Sequence, residues 1–186
     1  MNQPTNSAFE RAFEFLLRFE GERSQDKDDR GGLTIYGIAE RYHPTACAAA
    51  EAALSSGDKR AAQRIAAEVY KKEYWSRING EALRPAVAIA LFDASVNLGV
   101  HRSVRLLQRS LVLIGAQVQV DGLIGPATIS AANMFVDERV WMRINRLRLD
   151  CYAGLVASDP VKRKYLLGWV NRVVALGGLI DDLEER

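Results

Sequence analysis

Apolar residues recur at helical spacing from the start of the chain: Phe9, Phe13, Leu16 and Leu17 share one face. Ser7 precedes them with Glu10 three residues later, the spacing of a capping box, so a first helix is expected from Ser7 to Phe19 or Glu20. From Gly21 to Gly32 the periodicity vanishes, and the Gly31-Gly32 pair predicts a tight turn or short hairpin. Ile35 to Tyr42 reads as a short helix stopped before Pro44, and the alanine-rich Thr45 to Leu54 as another. Asp58 is placed to cap a helix running through Ile65 and Val69 to Trp75.

Pro85 opens the next helix, with Val87, Leu91, Ala94 and Leu98 at core spacing and Gly99 closing it. A further helix carries Val104, Leu107 and Leu111. Val118 to Ile124 is a β-prone stretch with a turn signal at Asp121-Gly122, after which Pro126 begins another helix. The longest helix is expected from Asp137 to Ala157, with Val140, Ile144, Leu147, Cys151 and Leu155 inward. Asp159-Pro160 starts a last one carrying Tyr165, Trp169, Val173 and Leu176. The pattern predicts a mainly α fold with a short β-hairpin or turn region after the first helix.

Composition narrows the function classes without choosing one. A chain of 186 residues is long enough for one domain with a substantial core. Its formal charge of +2 is too small to imply a nucleic-acid partner, yet suits an anionic polymer such as cell wall. Cys47 and Cys151 lie in helical patterns without the neighbours a zinc site needs, so both read as free thiols and no metal or organic cofactor is expected. No apolar run approaches the ~20 residues of a membrane span. The first residues lack the basic and apolar regions of a signal peptide, so a substrate outside the cytoplasm would be reached through a membrane pore or by lysis.

The candidate chemistry sits in the unpatterned segment. Glu20 ends a helix, where the dipole opposes an added negative charge, a setting for a proton donor. The plainer reading is an exposed helix end. Asp26, Asp28 and Asp29 supply candidates for the second carboxylate of a glycosidase, which orients water or steadies charge at the anomeric carbon. Read plainly, they are turn formers. Calcium is a weaker alternative, because the alternating oxygen ligands and terminal glutamate of an EF-hand loop are lacking. Thr34 can hold a water by its hydroxyl, or serve merely as a β-branched residue in a strand or turn.

Glu20, Asp29 and Thr34 resemble the catalytic set of phage-type lysozymes, with the aspartate-to-threonine spacing one residue shorter here. More specifically, the segment is similar to glycoside hydrolase family 108, the N-acetylmuramidases of phage endolysins and secretion-associated muramidases. The family pattern Glu-Gly-Gly-Tyr-x-Asn-Asp-Pro-x-Asp-x-Gly-Gly-x-Thr-x-x-Gly-Ile-Thr falls on Glu20, Gly21, Asp26, Asp29, Gly31, Gly32, Thr34, Gly37 and Ile38. Glu22, Arg23, Gln25, Lys27 and Ala39 depart from it. Glu22 adds a negative charge near Glu20, for which Arg23 is a potential partner.

Tyr70-Lys-Lys-Glu-Tyr-Trp75 and Phe92-Asp-Ala-Ser-Val-Asn-Leu-Gly99 resemble further family motifs. Leu107-Gln108 and Val120 to Thr128 resemble the region that these proteins carry as a predicted peptidoglycan-binding domain, although a turn and a helix start explain that motif as well. The resemblance implies a lysozyme-like catalytic region over 1–95 and a helical peptidoglycan-binding region over 96–186 packed on it. It implies hydrolysis of peptidoglycan between N-acetylmuramic acid and N-acetylglucosamine, with Glu20 as the acid and a holin as the exporting partner. A catalytically silent wall-binding module or secretion factor is the alternative.

Asp93 and Asn97, four apart on one helical face, are expected either to line the saccharide groove or to form a buried polar pair at a helix junction. Tyr36 is the expected sugar-stacking platform, whereas Trp75, Trp141 and Trp169 read as packing residues. Arg102, Arg105 and Arg109 recur along one helix and suit either anionic wall or a solvated face.

Overall fold

The structure, a computed structural model, describes residues 7–24, 32–135 and 139–185. Among them are eight α-helices and one small antiparallel sheet, so the expected mainly α fold is found. The chain divides into two compact units, one of residues 13–73 and one of the described residues up to Ala12 and from Tyr74 onward.

Helix α1 (Ala8–Leu17) begins at the predicted capping box. The Ser7 amide donates to Glu10 Oε2 at 2.7 Å, and the Glu10 amide donates to Ser7 Oγ at 3.2 Å. Tighter turns end the helix: the amides of Arg18 and Phe19 donate three residues back, to the Phe15 and Leu16 carbonyls, and the Glu20 amide shares the latter.

In the 13–73 unit, strands β1 (Arg23–Ser24), β2 (Thr34–Ile35) and β3 (Ile38–Ala39) pair in sequence order, with Ser24 opposite Thr34 and Ile35 opposite Ile38. The segment expected as a helix from Ile35 to Tyr42 is therefore a hairpin and a turn. Ile35 and Ile38 are three apart, which imitates one face of a helix. Yet Tyr36 and Gly37 between them adopt φ of 46° and 80°, the left-handed pair of a tight hairpin turn. Both isoleucines are buried, and helix α2 (Pro44–Ser55) packs on β2 and β3. Asp58 caps α3 (Lys59–Tyr70), accepting from the Ala61 amide at 2.8 Å, and the helix widens into a π turn over Lys71–Trp75.

In the other unit α4 (Pro85–Leu98) is the central helix, with every residue from Ala86 to Ser95 buried. A helix apolar on all sides must be covered on all sides. It packs on α5 (Val100–Leu113), α7 (Arg139–Ser158) and α8 (Arg163–Glu184), while α6 (Pro126–Met134) packs on α5. Trp75 and Phe92 stand edge to face at 5.7 Å, with Phe9 against both, so Trp75 is a packing residue as expected. Trp141 is buried as well, and Trp169 stacks on Tyr152 and Tyr165.

Two expectations change here. No strand forms over Val118 to Ile124, because its polar groups are taken by a side chain rather than by a neighbouring strand. On α7 the buried stripe is Val140, Trp141, Ile144, Arg148 and Tyr152 rather than the one through Leu147 and Cys151. A buried ion pair turns the helix that way.

Candidate active site

Glu20 sits in the bend just after α1, partly buried. Across from it lies the hairpin turn, and the close approach is set by Gly37. A β-carbon at Gly37 would stand 3.3 Å from Glu20 Oε2 and 2.0 Å from Tyr70 Oη. The carboxyl group of Glu20 and the hydroxyl of Tyr70 therefore both lie against the bare backbone of this residue. Tyr70 is buried at the end of α3, its ring 5.7 Å from that of Phe13. Helix end, hairpin turn and a second helix thus converge on the backbone of Gly37. Sequence reasoning passed over Tyr70 as a site residue, although it begins the Tyr-x-x-x-Tyr-Trp motif.

Thr34, half-buried, lies in β2 opposite Ser24 on one side and Ala39 on the other. Asp26 and Asp29, like Asp28, lie outside the described residues. Tyr36 is only 2 % exposed, so it presents no open ring face of the kind a sugar platform needs. Its amide donates to the Glu22 carbonyl at 3.2 Å, joining the turn to the segment after Glu20, and its buried hydroxyl has no partner among the described residues.

Two departures from the family pattern, Glu22 and Arg23, are paired locally. Glu22 accepts from Lys59 Nζ at 2.7 Å, and this bond holds the Lys59 ammonium above its ordinary range. Arg23 pairs with Glu51 at 3.1 Å rather than acting as the expected partner of Glu22. Cys47 is buried with its thiol 3.6 Å from the Leu33 carbonyl, and burial pushes the thiol up, with Glu40 adding to the effect.

Asp93 is 1 % exposed and does not face a groove. One carboxylate oxygen accepts from Arg148 at 2.6 Å, and the other accepts from Arg172 Nε at 2.9 Å and Nη2 at 2.8 Å. Asn97 Oδ1 accepts from Arg148 and, at 3.0 Å, from the Tyr152 hydroxyl, and Arg148 Nε also donates to that hydroxyl. Burial raises the Tyr152 phenol, with Arg148 acting against it. Two buried guanidinium groups thus take both oxygens of the single carboxylate. Asp93 is thus a buried junction residue, while Asn97 is only partly buried.

Gln108 plays the same kind of part for the loop before α6. Buried at 1 %, its Nε2 donates to Asp121 Oδ1 at 2.8 Å and to the Leu123 carbonyl at 3.0 Å, while its Oε1 accepts from the Gly122 amide at 2.8 Å. Gly122 is required where it stands: its φ is 83°, and a β-carbon would lie 2.5 Å from His101 Nε2. The Leu123 amide and Gln108 hold the Asp121 carboxyl below the usual range, with a smaller contribution from His101.

Comparison with known protein families divides the chain near residue 100. The family model Glycosyl hydrolase 108 matches residues 13–99, and the model Predicted Peptidoglycan domain matches residues 102–174. No match is found among curated proteins. Among solved structures, Brucella abortus SagA is similar over 92 % of each chain, with a TM-score of 0.67 and 23 % identity. That likeness concerns the fold, and it agrees with a lysozyme-like helical architecture carrying a small antiparallel sheet.

Proposed function

We propose, starting from a chain whose residues 13–99 match the glycosyl hydrolase 108 model and whose residues 102–174 match a predicted peptidoglycan domain, that the protein is an N-acetylmuramidase. It cleaves the β-1,4 bond between N-acetylmuramic acid and N-acetylglucosamine. The observation that carries this reading is the placement of Glu20, a single carboxyl group lodged against the Gly37 turn with the Tyr70 hydroxyl on the same backbone. Such a group, partly buried yet reachable, suits proton donation to the leaving glycosidic oxygen.

In this reading the C–O bond breaks as Glu20 gives its proton to the departing sugar. Positive charge at the anomeric carbon is steadied by Asp29, or alternatively Asp28 or Asp26, with Thr34 helping to hold the water that completes hydrolysis. Tyr70 positions Glu20. The polymer lies outside the cytoplasm, so the reading includes passage through a holin-type pore or release by lysis before the enzyme acts on the periplasmic wall. No described helix is long and apolar enough to cross a membrane.

Release of new reducing ends from purified peptidoglycan by wild type and Glu20→Gln tests the assignment. Muramic acid at the new reducing ends, with at least a hundredfold loss in the variant, is expected, in line with the about 10²–10⁴-fold contribution of general acid catalysis. The altered loop at Glu22 and Arg23 favours a second reading, a wall-binding module or secretion factor without hydrolysis. Retention on insoluble wall without any release of reducing ends, where a control lysozyme releases them, would select it.

A further inference from the structure

Helix α5 carries a charge pattern that works against its own stability. Its sequence, Val-His-Arg-Ser-Val-Arg-Leu-Leu-Gln-Arg-Ser-Leu-Val-Leu, contains no acidic residue, and His101 and Arg102 stand in its first turn. That is the positive end of the helix dipole, where anions are favoured and cations opposed. Arg102 and Arg105 are three apart, and Arg105 and Arg109 four apart, so like charges neighbour one another along one face. None of the three arginines finds an ion-pair partner among the described residues, whereas Arg148 and Arg172 of the same unit both pair with Asp93. A face intended only for solvent would gain from interspersed carboxylates.

The same residues line one cleft. His101, Arg102, Arg105 and Arg109 border a space of about 330 Å³ whose remaining wall is Leu106 and Cys151. The cleft lies wholly in the unit that contains the predicted peptidoglycan domain, and all six of its residues fall within 102–174 or directly before it. From Arg102 to Arg109 the helix rises about 10 Å, and three residues of an extended peptide span about the same length. Guanidinium groups match carboxylates in paired geometry, and Leu106 with Cys151 gives an apolar wall for short aliphatic side chains.

We infer that this cleft binds the carboxylate-bearing stem peptide of peptidoglycan, so that the enzyme is held on peptide-substituted strands rather than on bare glycan. The inference rests on peptidoglycan being the polymer, and it extends that reading from the bond cleaved to the part of the polymer gripped. The three arginines take successive carboxylates, and the cations opposed by the dipole acquire counter-charges on binding. Cys151 lines the same space and so reports its occupancy.

The test uses the full chain carrying Glu20→Gln, so that hydrolysis does not consume the ligand. Soluble glycan strands with intact stems are compared with strands stripped of stems by an amidase. Stem-bearing strands are expected to bind about tenfold tighter, a difference of about 1.4 kcal/mol, and to slow alkylation of Cys151 by iodoacetamide. Arg102→Gln/Arg109→Gln, which alters two exposed side chains, is expected to bind both strands alike and to leave Cys151 unprotected. Equal affinity of the parent for the two strands overturns the inference, as does a preference undiminished in the double variant or tighter binding of wall teichoic acid. Stem-dependent binding by a protein whose wild type releases no reducing ends would sink the hydrolase assignment and leave this one standing. Hydrolysis without stem preference would do the reverse.

Discussion

Gly37 is the residue on which the candidate site turns. Its φ of 80° disfavours any side chain, and a β-carbon there would overlap the Tyr70 hydroxyl that flanks Glu20. Gly37→Ala should therefore cost about 1–3 kcal/mol of stability from backbone strain. Its effect on catalysis should be larger than that loss implies, about a hundredfold in reducing-end release, because a shift near 1 Å in a positioned group has that consequence. Chemical denaturation and turnover of the same preparation separate the two; unchanged turnover would remove Gly37 and Tyr70 from the site. The two thiols provide a second residue-scale expectation. Cys47 is sealed and its thiol raised by burial, whereas Cys151 is half-buried beside the arginine cleft. Native protein should take up alkylating reagent at Cys151 alone, as read by peptide mass spectrometry.

Helices with explicit punctuation were legible from sequence: Ser7 and Glu10 cap α1, Pro85 and Gly99 bound α4, and Pro126 opens α6. The hairpin over Thr34–Ala39 was not, because an Ile-x-x-Ile spacing fits a helix and tyrosine is an unusual occupant of a left-handed turn position. Nor was the inward face of α7, since a charged residue counts as outward until its partner is known. Asp93→Asn tests that partnership: it leaves the Arg148 and Arg172 guanidinium groups without their carboxylate, and a loss of about 3–5 kcal/mol is expected by denaturant melting. A groove-lining role would leave stability nearly intact. Asp121 gives the pH counterpart. Its carboxyl is lowered in the folded state, so its contribution is present above the unfolded value of about 3.9 and is lost as pH falls through the lower folded value. The Gly122 amide resonance should accordingly begin to move only in that acid range, and Gln108→Leu should bring the transition upward.

Across the whole molecule, the candidate acid and the arginine cleft belong to different compact units, Glu20 to residues 13–73 and Arg102 to Arg109 to the other. Hydrolysis and attachment should therefore separate: Glu20→Gln should sediment with insoluble peptidoglycan as wild type does while releasing no reducing ends. Loss of both in that variant would indicate that attachment needs the catalytic unit. The sequence by itself determined the mainly α class, most helix boundaries and the motif around Glu20, since periodicity, caps and short motifs are local properties of a chain. It could not decide whether Asp93 faced sugar or arginine, which residue lay against Glu20, or that three arginines shared a cleft with Cys151. Those depend on which helix faces meet, because a buried charge is fixed by partners distant in sequence, Arg148 and Arg172 for Asp93. A close approach such as that of Tyr70 to Gly37 likewise exists only once the hairpin and α3 are packed together.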